Sequence, residues 1–284
     1  MSESMWFLVN EFKRSGIEKI EGNIVVDDTY FDTIRFDKDR EDSRVDRAYD
    51  APVGAMSFNW NSVNVYVRPG NAVGDPPKIF ADPESDYIKV VNNATTVSGR
   101  AKRIRVSRVK NKNHFGDTII VSGKIGIHRD EKVSYKSITQ PDYWSGYQLI
   151  QFLDQRGISV KGSVVTGKAP ENAREFAEAK SYGVGQVVAD MMKFSNNYVA
   201  EMLTKNLVAH HNNVQGNMSG GLAIIREYLN KQVMLDPKQY NFINPSGLTR
   251  KNKFRPVDIL KLLNTVKSDY SIYPEFVHSL PIAG

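Results

Sequence analysis

The spacing of apolar residues changes character near residues 165–180. Before that point apolar and polar residues mostly alternate, the two-residue period of a half-buried strand. After it, apolar residues recur every three to four positions, as on one face of a helix. Met5-Trp6-Phe7-Leu8-Val9 with Phe12 predicts an opening helix over 5–15, and a short strand follows over 22–26, ending in Asp27-Asp28. Val63, Val65 and Val67 mark a strand over 59–67, closed by Arg68-Pro69-Gly70. Strands are expected at 88–91, 101–109 and 118–121, and again at 158–165 after a helix over 146–155. The Gly-, Pro- and Asp-rich stretch 71–86 reads as a loop. Helices are predicted over 184–193, 198–210, 221–229 and 256–266. No internal repeat is evident. The expected fold class is therefore α+β and multidomain, with a β-rich region over 1–165 and a helical region over 166–284.

Composition narrows the chemistry. The 284 residues include no cysteine, which excludes disulfides, thiolate zinc sites, iron–sulfur clusters and a Cys nucleophile. No stretch approaches the roughly 18 apolar residues that cross a bilayer. The net charge of +6 permits an anionic partner without requiring one. The N-terminus lacks a basic region, apolar run and cleavage site in the order of a signal peptide.

Several motifs invite chemistry and fail on spacing. The acidic stretch Asp37, Asp39, Glu41, Asp42, Asp46, Asp50 suggests a calcium loop. Counted from Asp37, however, the positions that need Gly and Glu hold Asp42 and Ala48. Arg35, Arg40, Arg44 and Arg47 neutralise the carboxylates, so a solvated loop is expected. The five histidines (114, 128, 210, 211 and 278) never bracket a Glu at helical spacing, and no metal site is expected. No organic cofactor is implied either: Gly183-Val184-Gly185 lacks the third Gly and the preceding strand of a dinucleotide loop. The basic run Lys102–Lys110 alternates like an amphipathic strand and has no interleaved aromatic platform, so nucleic acid is not expected as a partner.

Two serine motifs remain. Ser107-Arg108-Val109-Lys110 spells S-x-x-K, in which a Ser nucleophile is activated by a Lys one helical turn away. Here it lies in an alternating segment, where residues three apart face opposite ways. Ser195-Asn196-Asn197 spells S-x-N between two amphipathic helices, a pattern as suited to a helix cap as to catalysis.

The company of the second motif gives it weight. The segment Phe194-Ser-Asn-Asn-Tyr-Val-Ala-Glu-Met-Leu203 precedes Asn244-Pro-Ser-Gly-Leu-Thr-Arg250. Upstream stand Gly22-Asn-Ile-Val-Val-Asp-Asp-Thr-Tyr-Phe-Asp32 and Tyr49-Asp-Ala-Pro-Val-Gly-Ala-Met-Ser-Phe-Asn59. These blocks, in this order, resemble the DacB-like penicillin-binding proteins, the D-alanyl-D-alanine carboxypeptidase/endopeptidase family. The resemblance implies a penicillin-binding, serine β-lactamase-like catalytic domain with β-rich inserted domains. It implies acyl transfer on peptidoglycan stem peptides in the periplasm or elsewhere outside the cytoplasmic membrane, with β-lactams recognised by the intact enzyme. By position Ser195 and Asn197 match catalytic residues: a Ser that relays a proton to the leaving amine, and an Asn that bonds the substrate amide and the nucleophile's Lys. Arg250 and Tyr49 match substrate-binding positions, Arg250 able to hold a peptide carboxylate.

Departures accompany the matches. The family's S-x-x-K would precede Trp6, and its K-T-G would follow Leu280-Pro-Ile-Ala-Gly284; neither is in the chain. Asn244-Pro245 replaces the usual Asp-Gly, and Ser181-Tyr-Gly-Val lacks the usual Pro-Leu. The chain is therefore expected to be an internal piece of a longer peptidase, inactive and poorly stable by itself. The alternative is a non-catalytic descendant that binds peptidoglycan or a partner. A third reading, an unrelated basic β-rich module, would make the ordered blocks chance.

Overall fold

The computed structural model describes residues 2–38, 46–111 and 115–282, apart from the Lys102 side chain. Asp39, Arg40, Glu41, Asp42 and Arg44 of the acidic loop, His114, and the last two residues of the C-terminal segment lie outside the described residues. Two compact units form: unit 1 from 1–28, 45–52 and 56–179, and unit 2 from 29–44, 53–55 and 180–284.

Unit 1 begins with helix α1 (Ser2–Arg14), then strands β1 (Lys19–Ile20) and β2 (Ile24–Val26). The same order returns far along the chain as α2 (Pro141–Gln155), β9 (Ser159–Val160) and β10 (Val164–Thr166). The two copies pair: β1 runs parallel to β9 with Ile20 opposite Val160, and β2 parallel to β10 with Ile24 opposite Val164. The helix ends match too. Ile17 N–H donates to Phe12 O and Gly16 N–H to Lys13 O; Ile158 N–H donates to Leu153 O and Gly157 N–H to Asp154 O. This bond pair requires a left-handed residue after the helix, supplied by Gly16 (φ 81°) and Gly157 (φ 71°). The expectation of no repeat is thus corrected. The repeated element is short, and a single insertion between Gly16 and Gly22 shifts its register, which hides it from sequence comparison.

Between the copies lie two three-stranded sheets. The first has the order β4 (Lys78–Asp82), β3 (Ser62–Arg68), β8 (Lys132–Ser137), all antiparallel. The second has the order β5 (Ile88–Val97), β7 (Asp117–Gly126), β6 (Lys102–Lys110), with β5 parallel and β6 antiparallel to β7. The predicted loop over 71–86 therefore contains β4, a five-residue edge strand whose composition gives little signal. Strand β8 carries only two apolar residues, Val133 and Tyr135, and sets Lys132, Ser134 and Lys136 beside the inward valines of β3, so its sequence does not read as a half-buried strand. The predicted strand over 158–165 divides at Lys161-Gly162-Ser163. Helix α2 starts five residues before the expected 146, because Pro141 suits a first helical turn that needs no N–H. Residues 59–61 are not strand: Asn59, Trp60 and Asn61 all hold positive φ (51°, 53° and 51°). The buried Asn61 side chain fixes that turn, donating to Pro52 O at 2.8 Å and accepting from Phe58 N–H at 3.3 Å.

A large core joins both three-stranded sheets of unit 1 to its helices. Val63, Val65, Val67, Ile104, Val106, Ile119 and Val121 meet Val9, Trp144, Phe152 and Leu153. The expected alternation of β6 holds, with Ile104 and Val106 buried between arginines. Burying side chains of this size stabilises by roughly 1.5–3 kcal/mol each before conformational entropy is charged. Gly146 lets α2 reach the paired short strands, since a Cβ there would stand 2.4 Å from Val164 Cγ1 and 2.8 Å from Val26 Cγ2.

Unit 2 is helical: α3 (Val184–Lys193), α4 (Asn197–Asn212), α5 (Met218–Lys231), α6 (Pro256–Ser268) and the unpredicted α7 (Tyr273–Ser279). Three of the four predicted helices extend by one to three residues at their ends, and α3 has the predicted bounds. Leu229, Val233 and Leu235 pack with Tyr240, Phe242, Phe254 and Leu262. On α6, Val257, Leu260 and Leu263 remain exposed. Among the described residues no helix is long and apolar enough to cross a membrane.

Candidate functional site

The turn between α3 and α4 holds Ser195 in the left-handed region, a conformation that Asn213 and Met234 also adopt in unit 2. Asn196 N–H donates to Met191 O (2.9 Å) and Ser195 N–H to Met192 O (3.3 Å). That is the bond pair that ends α1 and α2, but here the left-handed residue is Ser195 (φ 50°) instead of glycine. A serine in that conformation costs on the order of 1 kcal/mol more than a glycine. The chain nevertheless places a hydroxyl there, exposed to solvent. The next residue caps α4: Asn196 Oδ1 accepts from Val199 N–H at 3.2 Å. The cap of the S-x-N motif is therefore its middle residue, which leaves Ser195 and Asn197 at the helix start without a capping duty. Asn197 is half-buried in the first turn of α4. The unpaired N–H groups and dipole of that turn favour negative charge beside Ser195.

Further along α4 the side chains turn inward and become ionic. Glu201 and Lys205 lie six and ten residues after Ser195, about 9–15 Å along the axis. Lys205 is buried, donates to Asp32 Oδ1 at 2.5 Å and Ile34 O at 2.7 Å, and stands 5.7 Å from the Phe31 ring centroid. These contacts tie the loop after residue 29 to α4. A cavity of about 500 Å³ opens beside them, lined by Asp32, Asp37, Glu201, Lys205, Ser219 and Arg226 among others.

The 244–252 loop carries Arg250 and is closed on itself. Asn252 Oδ1 accepts from Ile243 N–H (2.9 Å) and Asn244 N–H (3.2 Å), while Asn252 Nδ2 donates to Asn244 O (2.7 Å). Asn244 is fully buried; its Nδ2 donates to Asp37 Oδ2 at 2.6 Å and lies 3.5 Å from Glu201 Oε1. This accounts physically for Asn in place of the expected Asp: an amide can donate to these two acids, whereas a third carboxylate would repel them. Arg250 itself is exposed. After the loop, Arg255 makes paired bonds to Asp258 (Nε–Oδ2 3.0 Å, Nη2–Oδ1 2.7 Å) and opens α6. The Arg255 hydrogen bond holds the Asp258 carboxyl below the usual carboxylate range, against a smaller opposing effect of burial.

Ser195 and Asn197 are thus placed together at one helix start, and Arg250 lies on a separate loop of the same unit. Tyr49 belongs to unit 1, in a 3-10 turn over Ala48–Asp50, with 47% of its surface exposed. That turn is anchored by Asp46, which accepts from Lys136 Nζ (2.8 Å) and Arg108 N–H (2.9 Å). Ser107 and Lys110 lie on β6, as their alternating setting predicts, and so do not form a helical S-x-x-K pair. Among the described residues no cluster of three or more His, Cys, Asp or Glu could hold a metal ion. Sequence reasoning missed the Asp32–Lys205 and Asp37–Asn244 contacts. The signal was the pair Glu201 and Lys205 on the otherwise apolar face of α4, where buried charges demand partners.

Comparison with known proteins gives one consistent picture. The model of the D-Ala-D-Ala carboxypeptidase 3 (S13) family matches residues 2–284. A D-alanyl-D-alanine carboxypeptidase of Actinomadura sp. (strain R39) is 27% identical over 293 aligned positions, covering 100% of this chain and 53% of the relative. The crystal structure of penicillin binding protein 4 (DacB) from Haemophilus influenzae matches with TM-score 0.77 at 19% identity, covering 99% of this chain and 61% of that one. The same protein complexed with a novel β-lactam matches with TM-score 0.68 at 21% identity, covering 99% and 59%. The chain spans about half the length of the curated relatives it matches.

Proposed function

The chain belongs to the D-Ala-D-Ala carboxypeptidase 3 (S13) family, and from that premise we propose that it forms part of a serine-type D-Ala-D-Ala carboxypeptidase/endopeptidase. The substrates of this reading are peptidoglycan stem peptides, met outside the cytoplasmic membrane. β-Lactams would acylate the same site. Residues 166–284 contribute the helical part of the catalytic domain, and residues 1–165 the accessory β-rich domains.

In this reading the Ser195 hydroxyl passes a proton to the departing D-alanine amine. Asn197 donates its amide N–H to the substrate carbonyl and accepts from the Lys that activates the nucleophile. Arg250 holds a carboxylate of the peptide, and Tyr49 is a second substrate-binding residue. The nucleophile must come from a helical S-x-x-K, which Ser107 and Lys110 on β6 do not provide. In this reading the helical pair belongs to the part of the relatives' length that the chain does not span. The observation that supports the reading best is Ser195 in a left-handed position where the two equivalent helix ends of unit 1 use glycine. Strain of this kind is retained where a side chain has work to do.

The test is labelling of the complete reading-frame product with a fluorescent penicillin, combined with D-alanine release from a pentapeptide ending in D-Ala-D-Ala. Acylation and release are expected, and Ser195→Ala or Asn197→Ala should slow both by about 10²–10³-fold, the usual scale for proton relay and substrate-positioning groups. Failure of the complete product to form an adduct would overturn the reading.

A further inference from the structure

The outer face of the first sheet of unit 1 breaks the rule that its inner face obeys. On β3 the inward residues Val63, Val65 and Val67 are fully buried. The opposite face carries Tyr66, paired in register with Phe80 on β4 and with Val133 on β8; Tyr135 stands one row away, opposite Asn64. Phe80 is 54% exposed and Tyr135 59% exposed. The Tyr66 and Phe80 rings lie 6.2 Å apart at an interplanar angle of 40°. An antiparallel sheet with one solvated face normally fills it with polar residues, so three rings gathered there point to a ligand.

Charge and size restrict what that ligand is. Lys78 and Arg68 form the row at one end with Glu131, and Asp82 lies at the other end. Arg68 pairs with Glu131 through Nε and Oε2. Two cations and two anions cancel, so nothing attracts a polyanion, and nucleic acid does not fit. Three strands about 4.8 Å apart and five residues long cover roughly 240 Å², far below the ~800 Å² per partner of a stable protein interface. The depression between Tyr66, Phe80, Lys78, Arg68 and Glu131 holds about 560 Å³, within the range of clefts that take small ligands or short chains.

We infer that this face binds an uncharged glycan strand, with sugar rings lying flat on Phe80, Tyr66 and Tyr135. Pyranose rings offer an apolar C–H face to an aromatic ring and hydroxyls around their edge. The rings of this patch, fringed by Arg68, Lys78, Asn64 and Asp82, match both features. The face is a docking surface for the polymer and takes no part in peptide chemistry. The choice of an N-acetylated sugar as probe rests on the wall-peptide reading of unit 2, whereas the aromatic platform does not.

The experiment is isothermal titration of the chain with chitohexaose and, separately, cellohexaose. Phe80→Ala and Tyr135→Ala serve as variants; both side chains are exposed, so melting should be unchanged. Chitohexaose binding that weakens about tenfold in each variant, the scale of one lost ring contact, is expected. Binding of neither sugar, or binding unaltered in both variants, overturns the proposal. So does a concentration-dependent dimer of the chain that Phe80→Ala disperses, since the face would then meet a second copy. Binding of cellohexaose alone keeps the glycan face and counts against the wall-peptide reading, which penicillin labelling tests independently.

Discussion

Asp117 offers the sharpest test of how unit 1 is held together. It is fully buried at the start of β7, and its carboxylate accepts three hydrogen bonds: from Thr139 N–H (2.8 Å) and Tyr87 O–H (3.2 Å) at Oδ2, and from Thr139 Oγ1 (2.7 Å) at Oδ1. Tyr87 Oη in turn accepts from Gln140 N–H at 2.9 Å, so the network joins the residue before β5, the start of β7 and the start of α2. In Asp117→Ala the Thr139 and Tyr87 hydroxyls, 3.2 Å apart, can bond each other. The half-buried Thr139 N–H then loses its acceptor, and a small cavity opens beside it. One orphaned donor costs about 1–3 kcal/mol and the cavity about 1 more, for a total of roughly 2–4 kcal/mol. Asp117→Asn keeps the shape and one acceptor oxygen, and the Thr139 hydroxyl can rotate to accept, so about 1 kcal/mol is expected. Removal of a costly buried charge offsets part of both losses: burial pushes the Asp117 carboxyl above its usual range despite the Thr139 and Tyr87 bonds.

All three tryptophans (Trp6, Trp60 and Trp144) belong to unit 1, so tryptophan fluorescence in urea reports this unit alone. With a slope of about 2 kcal/mol per M, Ala should lower the midpoint by about 1–2 M and Asn by about 0.5 M. The pH dependence follows in sign. A carboxyl whose folded pKa is raised binds its proton more tightly in the native state, so its contribution is most favourable at acid pH. It is lost as pH rises from about 4 through the folded value. Wild type should therefore exceed Asp117→Asn by more at acid pH than at neutral pH. An Asn variant as unstable as Ala, or an Ala variant within about 0.5 kcal/mol of wild type, would refute the account of the network.

Three further outcomes follow from single contacts. Ser195→Gly relieves the left-handed strain and should stabilise unit 2 by about 1 kcal/mol in a circular-dichroism melt, while penicillin labelling of the complete product falls as it does for Ser195→Ala. Lys205→Met leaves Asp32 without its cation and should destabilise by about 3–5 kcal/mol in urea followed by helical ellipticity; a neutral result would mean that the pair adds nothing. Burial pushes Asp46 upward, but the Lys136 hydrogen bond, the Arg108 N–H and both cations outweigh it, and its carboxyl sits below the usual range. Its stabilisation is present above about pH 4 and lost as pH falls through the lowered value. Asp46→Asn should flatten that acid limb of the unit 1 stability curve.

Periodicity alone located α1, α3, α4, α5, α6 and the inward valines of β3, because these segments bury one regular face and the face is written into residue spacing. It also placed Ser107 and Lys110 on a strand, which by itself removes a false nucleophile. The ordered blocks around Asp32, Tyr49, Ser195 and Arg250 identified the family, since their order along the chain needs no folding to be read. Other features exist only when distant segments meet. The pairing of β1 with β9 and β2 with β10 joins residues about 140 positions apart, through strands too short to leave a pattern. Strand β4 is fixed by its partner β3 and not by its own composition. Asn244 makes sense only beside Asp37 and Glu201, and Lys205 only beside Asp32 and Ile34: each buried polar group is chosen by what faces it, and that neighbour is set by the tertiary fold. Ser195 shows the division most clearly. Its identity was legible in the motif, but its left-handed backbone, and the energy held there, arose from closing α3 against the start of α4.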